Sequence, residues 1–86
     1  MKAWHVYILS CNDGTLYTGI TNDLPRRVTE HNEGTASKYT RVKLPVKLIY
    51  SERKVSRSAA LKREAEIKSL PRSEKIRLCR AIPGAA

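Results

Sequence analysis

The chain has 86 residues, of which 41% are hydrophobic, enough for one small core and too few for a multidomain protein. No apolar run approaches the roughly 18 residues of a membrane span, and two cysteines, Cys11 and Cys79, form neither a disulfide framework nor a zinc pattern. Since the first residues also lack the apolar region of a secretory signal, we expect a cytoplasmic protein in which both cysteines are packing residues.

The positive charge is concentrated in the second half of the chain. Lys and Arg number 17 against 8 Asp and Glu, a formal net charge of +9. Residues 1–37 carry a net charge of −1, whereas residues 38–86 carry +10. Solvated helix surfaces account for part of this charge, but the excess is larger than solubility requires. The gradient therefore favours a polyanionic partner, and nucleic acid is the usual one.

The first predicted element is a β-hairpin. Residues 4–9 and 16–20 are rich in β-branched and aromatic residues, and Asn12-Asp13-Gly14 between them is a turn signal. A two-residue loop would place Tyr7 and Tyr17 on opposite faces of the sheet, whereas a three-residue loop places them on the same face. Because Asn-Asp-Gly fits the three-residue loop, with its glycine in a left-handed bulge, we favour the second register.

The rest of the chain predicts helices around a third strand. We expect a helix over residues 24–32, capped by residues 21–23 and ending at Gly34, and then an irregular stretch over residues 35–45. A strand over residues 46–50 follows. The last two elements are a helix from Ser56 or Ser58 to Leu70-Pro71 and a helix over residues 73–81, with Ile76, Leu78, Cys79 and Ile82 toward the core. This β-β-α-β-α-α order predicts one α+β domain over residues 1–82, a three-stranded antiparallel sheet flanked by helices, with residues 83–86 as a flexible tail.

The long helix carries an acidic residue on its apolar side. At about 100° per residue, Glu64 falls in the middle of the arc formed by three apolar residues, Ala60, Leu61 and Ile67. Glu66 points the opposite way, toward solvent. A carboxylate on an apolar face must be paired, protonated or bound to a cation. Glu64 is therefore either the ion-pair partner of an arginine or a functional group, a metal ligand or an acid–base residue.

Several weak signals converge on the hairpin and the first helix. Arg27 and His31 are four residues apart and share a helix face, which alone indicates only a surface pair. Tyr7 and Tyr17 would each be read as sheet aromatics. Gly19 inside a strand is costly unless a neighbouring side chain needs the space, and the favoured register makes Tyr7 that neighbour. These five residues are thus expected to meet at one face of the sheet.

The combined pattern resembles the GIY-YIG nuclease domain, in particular its small stand-alone bacterial members. The motifs that carry the resemblance, spread over roughly residues 3–80, are His5-Val6-Tyr7, Tyr17-Thr18-Gly19, Thr21-Asn22-Asp23-Leu24-Pro25-Arg26-Arg27, His31-Asn32 and Lys38-Tyr39-Thr40. The departures from the family pattern are His5 for a glycine and Val6 and Thr18 for isoleucines. None of them removes a proposed catalytic group, but His5 is expected to alter access to the site.

The resemblance implies metal-dependent hydrolysis of phosphodiester bonds in nucleic acid, with DNA, branched or damaged, as the expected substrate. Glu64 matches the ligand of one Mg²⁺ or Mn²⁺ ion, and Arg27 matches the arginine that stabilises the phosphoryl transition state. Tyr7 matches the general base, with His31 as its rival, and Tyr17 would position water or phosphate. Since a tyrosine has a pKa of about 10, Arg27, the metal ion or a relay through His31 would have to lower the pKa of Tyr7. The expected substrate-binding residues are Gly19, Arg26, Lys38 and Tyr39.

Two other functions fit part of the pattern. One is a non-catalytic module that keeps the same fold and the basic surface to bind nucleic acid. The other is a repressor-like DNA-binding protein, in which residues 58–80 form a helix-turn-helix around Leu70-Pro71-Arg72-Ser73. The second reading leaves the tyrosine hairpin unexplained and lacks a supporting helix.

Overall fold

The computed structural model describes residues 3–80. The elements are β1 (Trp4–Ser10), β2 (Leu16–Thr21), α1 (Leu24–Asn32), α2 (Lys38–Arg41), β3 (Lys47–Lys54), α3 (Arg57–Lys68) and α4 (Arg72–Arg80). The strands form one antiparallel sheet in the order β2-β1-β3, so β1 is central. The predicted three-stranded antiparallel sheet with flanking helices is confirmed. Within residues 3–80, no helix combines the length and the apolar character needed to cross a membrane.

A three-residue loop sets the register of the β1–β2 hairpin. Gly14 has a φ of +84°, which a residue without a Cβ adopts at little cost. Its N–H donates to the carbonyl of Cys11, and the N–H of Cys11 donates to the carbonyl of Thr15. Tyr7 therefore pairs with Gly19 across the strands, and the favoured register is confirmed.

Alternate residues of β1 contribute to two separate cores, one on each face of the sheet. The core covered by α3 and α4 is built from Val6, Ile8, Tyr50, Ala60 and Ile67, with Trp4, Leu16, Ile20, Leu78 and Cys79 packed against it. The core covered by α1 is built from Tyr7, Leu9, Cys11 and Val46, with Tyr17, Leu24, Val28 and Leu44 packed against it. Both cysteines are thus packing residues, as expected, and the two tyrosines of the hairpin lie on one face.

Side-chain caps set the starts of the helices. The Asp23 carboxylate accepts the backbone N–H of Arg26, and Pro25 lies in the first turn of α1. Gly34, with a φ of +81°, follows the end of that helix, so the predicted bounds 24–32 are confirmed. The Ser56 hydroxyl caps α3, which decides between the two serines that could begin it.

Two elements differ from the prediction between residues 35 and 54. Residues 35–45 are not irregular throughout, because Lys38–Arg41 form a single helical turn capped by Ser37. Strand β3 does not end at Tyr50 but continues to Lys54, because its backbone pairs with the full length of β1. Pairing with β1, and not the amino-acid composition of residues 51–54, makes this segment part of the strand.

The carboxy-terminal helices also correct two expectations. Leu61 is 38% exposed, so the apolar arc of α3 is narrower than predicted and rests on Ala60 and Ile67. Since this side of α3 packs directly on the sheet, residues 58–80 are not an independent helix-turn-helix. The predicted end of the last helix at Ala81, Ile82 and the tail over residues 83–86 lie outside the described residues.

Candidate active site

The Tyr7 hydroxyl lies at the centre of a polar cluster between the sheet and α1. Tyr7 is 1% exposed, and its oxygen is 2.9 Å from Nε2 of His31. The phenol passes directly over Gly19, where a Cβ would come within 2.6 Å of the hydroxyl oxygen. The hypothesis that Gly19 leaves space for a neighbouring side chain, and that this neighbour is Tyr7, is confirmed.

The environment of Tyr7 keeps its phenol protonated. Burial raises the pKa of Tyr7 to about 12, the Arg27 guanidinium facing the hydroxyl lowers it, and the negative charge of Glu64 raises it slightly. The pKa therefore moves in the opposite direction from the one a general base needs. At neutral pH the hydroxyl carries its proton and is able to donate it in a hydrogen bond.

A chain of hydrogen bonds runs from Tyr7 into the protein and assigns the His31 tautomer. Nδ1 of His31 is 2.8 Å from Oγ1 of Thr40, and this hydroxyl donates in turn to the carbonyl of Ser37 at 3.5 Å. Because a carbonyl only accepts, the Thr40 oxygen is left to accept from Nδ1–H. Nε2 then has a free lone pair and accepts the Tyr7 proton.

His31 is wholly buried behind Tyr7. Burial lowers the pKa of His31, and the positive charge of Arg27 lowers it further, so the ring is neutral at physiological pH. Both of its nitrogens are engaged by hydroxyl groups. His31 is therefore placed to exchange a proton with the phenol rather than with an incoming water molecule.

The two adjacent arginines of α1 point in different directions. Arg27 is half-buried, with Nη1 3.2 Å from the Glu30 carboxylate and Nη2 3.4 Å from the carbonyl of Ala36. These two contacts hold its guanidinium beside Tyr7. Arg26 has 73% of its side chain exposed and pairs with the other oxygen of Glu30 at 3.1 Å. Only Arg27 joins the Tyr7 cluster, as its spacing from His31 predicts.

Glu64 lies on α3, in the layer that covers the other face of the sheet. Its carboxylate is 19% exposed and lies 3.4 Å from Nζ of Lys68, whose side chain is 55% exposed. The ion-pair partner of Glu64 is therefore a lysine one helical turn away, and not the arginine that the ion-pair alternative predicts. Glu66 is 64% exposed and pairs with Arg63, which confirms that it faces solvent. The negative charge of Glu64 makes a small contribution to the raised pKa of Tyr7.

The donor set near Tyr7 fits a divalent ion held mainly by water and substrate. Within residues 3–80, no three His, Cys, Asp or Glu side chains lie close enough together to form a metal cluster. Glu64 offers a single, partly accessible carboxylate. Mg²⁺ usually keeps several waters and is bound through one or two carboxylates plus phosphate oxygens, which agrees with one acidic ligand.

Aromatic rings lead from the cluster to the surface. The ring centre of Tyr17 is 5.0 Å from that of His31 and 6.3 Å from that of Tyr7. Tyr17 also stacks with Tyr39, with ring centres 6.0 Å apart and an interplanar angle of 27°. Tyr39 is 44% exposed, and Lys38 beside it is also exposed. Both residues therefore lie on the solvent side of the site.

His5 occupies a different part of the same sheet face. Its half-buried side chain lines an apolar cleft with Leu24, Val28 and Leu48, and Tyr7 does not line that cleft. Within residues 3–80, its buried Nδ1 has no hydrogen-bond partner. The structure thus places His5 in this cleft, and its effect on access to the Tyr7 cluster stays a prediction.

One residue of the cluster was given no role by sequence reasoning. Thr40 is 0% exposed and orients His31 through a hydroxyl nine residues away along the chain. It stands in the Lys38-Tyr39-Thr40 motif, but a threonine in a polar segment carries no sign of burial. Only the fold of α2 against α1 brings the two side chains together.

Comparison with known proteins shows the family of this chain. The profile of the GIY-YIG catalytic domain matches residues 3–77. A UPF0213 protein of Natronomonas pharaonis is 57% identical over 74 residues, 86% of this chain and 87% of that protein. A UPF0213 protein of Staphylococcus epidermidis is 49% identical over 78 residues, 91% of this chain and 95% of that protein. These names state no function.

Two solved structures share the fold. The solution NMR structure of a UPF0213 protein from Bacillus halodurans has a TM-score of 0.59 and 40% identity, covering 94% of this chain and 85% of that one. The solution NMR structure of a protein from E. faecalis has a TM-score of 0.65 and 42% identity, covering 95% of this chain and 88% of that one. The similarity thus extends over nearly the whole chain.

Proposed function

The chain belongs to the GIY-YIG family of nuclease domains, and from this premise we propose that it is a metal-dependent endonuclease that hydrolyses phosphodiester bonds, preferentially in DNA. A nuclease-type function and nucleic-acid binding follow from the family, whose members generally use divalent metal ions. The observation that supports the proposal is the meeting of Arg27 and His31 at the Tyr7 hydroxyl, within reach of the Glu64 charge.

Arg27 is the proposed stabiliser of the transition state. A phosphodiester is anionic, so it repels hydroxide, and negative charge develops on its oxygens as the water attacks. Because Glu30 and the Ala36 carbonyl hold Arg27, its guanidinium is oriented before substrate arrives. It would donate charge-assisted hydrogen bonds to the phosphate oxygens beside Tyr7.

Tyr7 and His31 are proposed to act as a pair rather than as rival bases. Tyr7 would take a proton from the attacking water and pass its own phenolic proton to Nε2 of His31, so no free phenolate is needed despite a pKa of about 12. Thr40 keeps Nδ1–H in place during this transfer. Burial disfavours the resulting imidazolium, and the negative charge of the bound phosphate would offset part of that cost.

Glu64 is the proposed holder of the metal ion, Mg²⁺ or Mn²⁺. Such an ion supplies positive charge that stabilises the leaving oxygen. Tyr17, between Tyr7 and the surface, would position water or phosphate. The exposed cations Arg26 and Lys38 would contact flanking phosphates, while Gly19 serves binding indirectly by leaving room for the phenol.

Cleavage of a panel of duplex, branched and single-stranded DNA and RNA, with Mg²⁺ or Mn²⁺, tests the proposal. We expect Glu64→Ala to abolish cleavage and leave nucleic-acid binding largely intact. Glu66→Ala is the matched control, because this residue lies on the same helix but faces solvent and pairs with Arg63. Wild-type protein that binds but cuts nothing with either ion would favour the non-catalytic binding module instead.

The variants Tyr7→Phe and His31→Gln separate the paired mechanism from a single base. Removing a positioned acid–base group typically costs about 10²- to 10⁴-fold in rate. If the two residues work in series, each single variant and the double variant lose a similar factor, because either change interrupts the same transfer. A Tyr7→Phe variant with near wild-type rate would instead identify His31 as the base on its own.

A further inference from the structure

Tyr39 is the exposed end of a series of rings that starts at the proposed reacting hydroxyl. Tyr7 is 1% exposed, Tyr17 is half-buried, and Tyr39 is 44% exposed. Successive ring centres are 6.3 Å and 6.0 Å apart. Of the five Trp, Tyr and Phe residues of the chain, Tyr39 is the one with an exposed side chain. Part of the Tyr39 side chain is thus exposed to solvent at the end of this series.

The Tyr39 ring is ordered by its neighbours. Its backbone N–H donates to the Ser37 hydroxyl at 3.1 Å, and its hydroxyl lies 3.3 Å from Nζ of Lys43. The same ammonium is 4.4 Å from the ring centre and forms an ion pair with Asp13 at 2.8 Å. Lys43 therefore holds the ring rather than offering a free charge to a ligand. Because the Tyr39 side chain is already held, a ligand that stacks on it would lose little binding free energy to ordering the side chain.

Cations flank the ring on the same helical turn. Lys38 and Arg41 lie one residue before and two residues after Tyr39, and both are exposed. A basic surface that tracks the phosphate backbone, combined with an aromatic ring that receives a base, is the common arrangement in proteins that bind single-stranded nucleic acid. The +10 net charge of residues 38–86 extends this basic character beyond α2.

We propose that Tyr39 stacks on an unpaired nucleobase next to the phosphate at Arg27, so that the substrate is nucleic acid that is single-stranded or locally unpaired at the cleaved bond. The inference rests on the proposed nuclease function. In a duplex, neighbouring bases cover both faces of each base, so only a base that has left the stack reaches a protruding ring. Every base has a π-face, so this contact selects unpaired structure without selecting a sequence.

The experiment measures binding of a labelled single strand, and of the duplex of the same sequence, by fluorescence anisotropy without divalent ions. Base–aromatic stacking predicts that Tyr39→Leu weakens single-strand binding about 5- to 150-fold. Duplex affinity should stay within about twofold, because no base is stacked on the ring there. Tyr39→Phe and Tyr39→Trp keep a ring and should keep the preference. Val42→Ala is the control, since this exposed apolar residue ends the same helical turn.

Three results would overturn the stacking site: equal losses on both ligands, no loss with Tyr39→Leu, or a loss with Tyr39→Phe as large as with Tyr39→Leu. The last result would assign the effect to the contact between Lys43 and the hydroxyl. Because divalent ions are absent, the outcome does not depend on cleavage. A wild-type protein that cleaves nothing yet keeps a Tyr39-dependent preference for single strands would contradict the proposed function and support the stacking site.

Discussion

Gly19→Ala tests whether the space above β2 holds the Tyr7 hydroxyl in position. The added Cβ would lie 2.6 Å from the hydroxyl oxygen, 2.7 Å from the ring carbon that bears it and 3.1 Å from Cε2 of Tyr17. Restoring an ordinary contact of about 3.5 Å requires the phenol to move by about 1 Å. Tyr7 is 1% exposed, so this movement strains its packing and its hydrogen bond to His31. We expect a loss of about 1–3 kcal/mol in the free energy of unfolding.

The same displacement should affect cleavage more than it affects folding. Misplacing a reacting group by about 1 Å costs about 10²-fold in rate. Urea unfolding measures the first effect, and Mn²⁺-dependent cleavage per folded molecule measures the second. Gly14→Ala is the matched control, because its φ of +84° makes alanine strained while no atom lies within 4 Å of the added Cβ. It should lose about 1–2 kcal/mol of stability and keep its cleavage rate.

A double variant identifies the clash as the cause. Tyr7→Phe removes the oxygen that the new Cβ would meet first, so Gly19→Ala should cost less stability in the Tyr7→Phe background than in the wild type. The ring-carbon contact at 2.7 Å persists, so the relief is partial, and we expect a coupling energy of about 1 kcal/mol. Additive losses, or a Gly19→Ala variant as stable and active as the wild type, would refute this reasoning.

Three further expectations concern charge. Burial raises the pKa of Tyr7 from 10.0 to about 12, so the stability that the protonated phenol contributes is complete below pH 10 and is lost as pH rises through 12. The free energy of unfolding of the wild type relative to Tyr7→Phe should therefore fall by about 1.4 kcal/mol between about pH 8 and about pH 11. Parallel stability curves for the two proteins would contradict this. Burial alone would raise the pKa of Glu52, but Arg63 and neighbouring groups lower it to about 2. The stability that the Glu52 carboxylate provides above pH 4.5 should therefore be lost as pH falls toward 2. Acid unfolding should show this loss in the wild type and not in Glu52→Gln. Lys68→Ala removes the ammonium beside Glu64. Because an exposed ion pair is worth about 0–1 kcal/mol, the variant should bind Mn²⁺ up to about fivefold more tightly, as measured by calorimetry. Weaker binding would count against Glu64 as the ligand.

The hairpin and its register could be predicted because their cause is local. Asn12-Asp13-Gly14 selects a three-residue loop, and the loop alone determines which residues of β1 and β2 face each other. From that register, the position of Tyr7 over Gly19 follows directly. The spacing of Arg27 and His31 is equally local, because one helical turn places both on the face that covers the sheet.

The parts that could not be predicted depend on contacts distant in sequence. Residues 51–54 are polar and charged, and they become strand because β1 pairs with them. Lys38–Arg41 is too short for a periodic pattern, and the burial of Thr40 depends on its contact with His31. Glu64 was singled out by its place on α3, but the crossing of α3 over the far face of the sheet is a property of the tertiary packing.

Helix α3 packs on the sheet through Ala60 and Ile67, and Ala60, which is 0% exposed, lies one turn before Glu64. Alanine carries only a methyl group, so a larger side chain at this position would have to displace the helix from the strands. Glu64 and Tyr7 belong to different layers of the fold, so such a displacement would also change the separation of the carboxylate and the phenol.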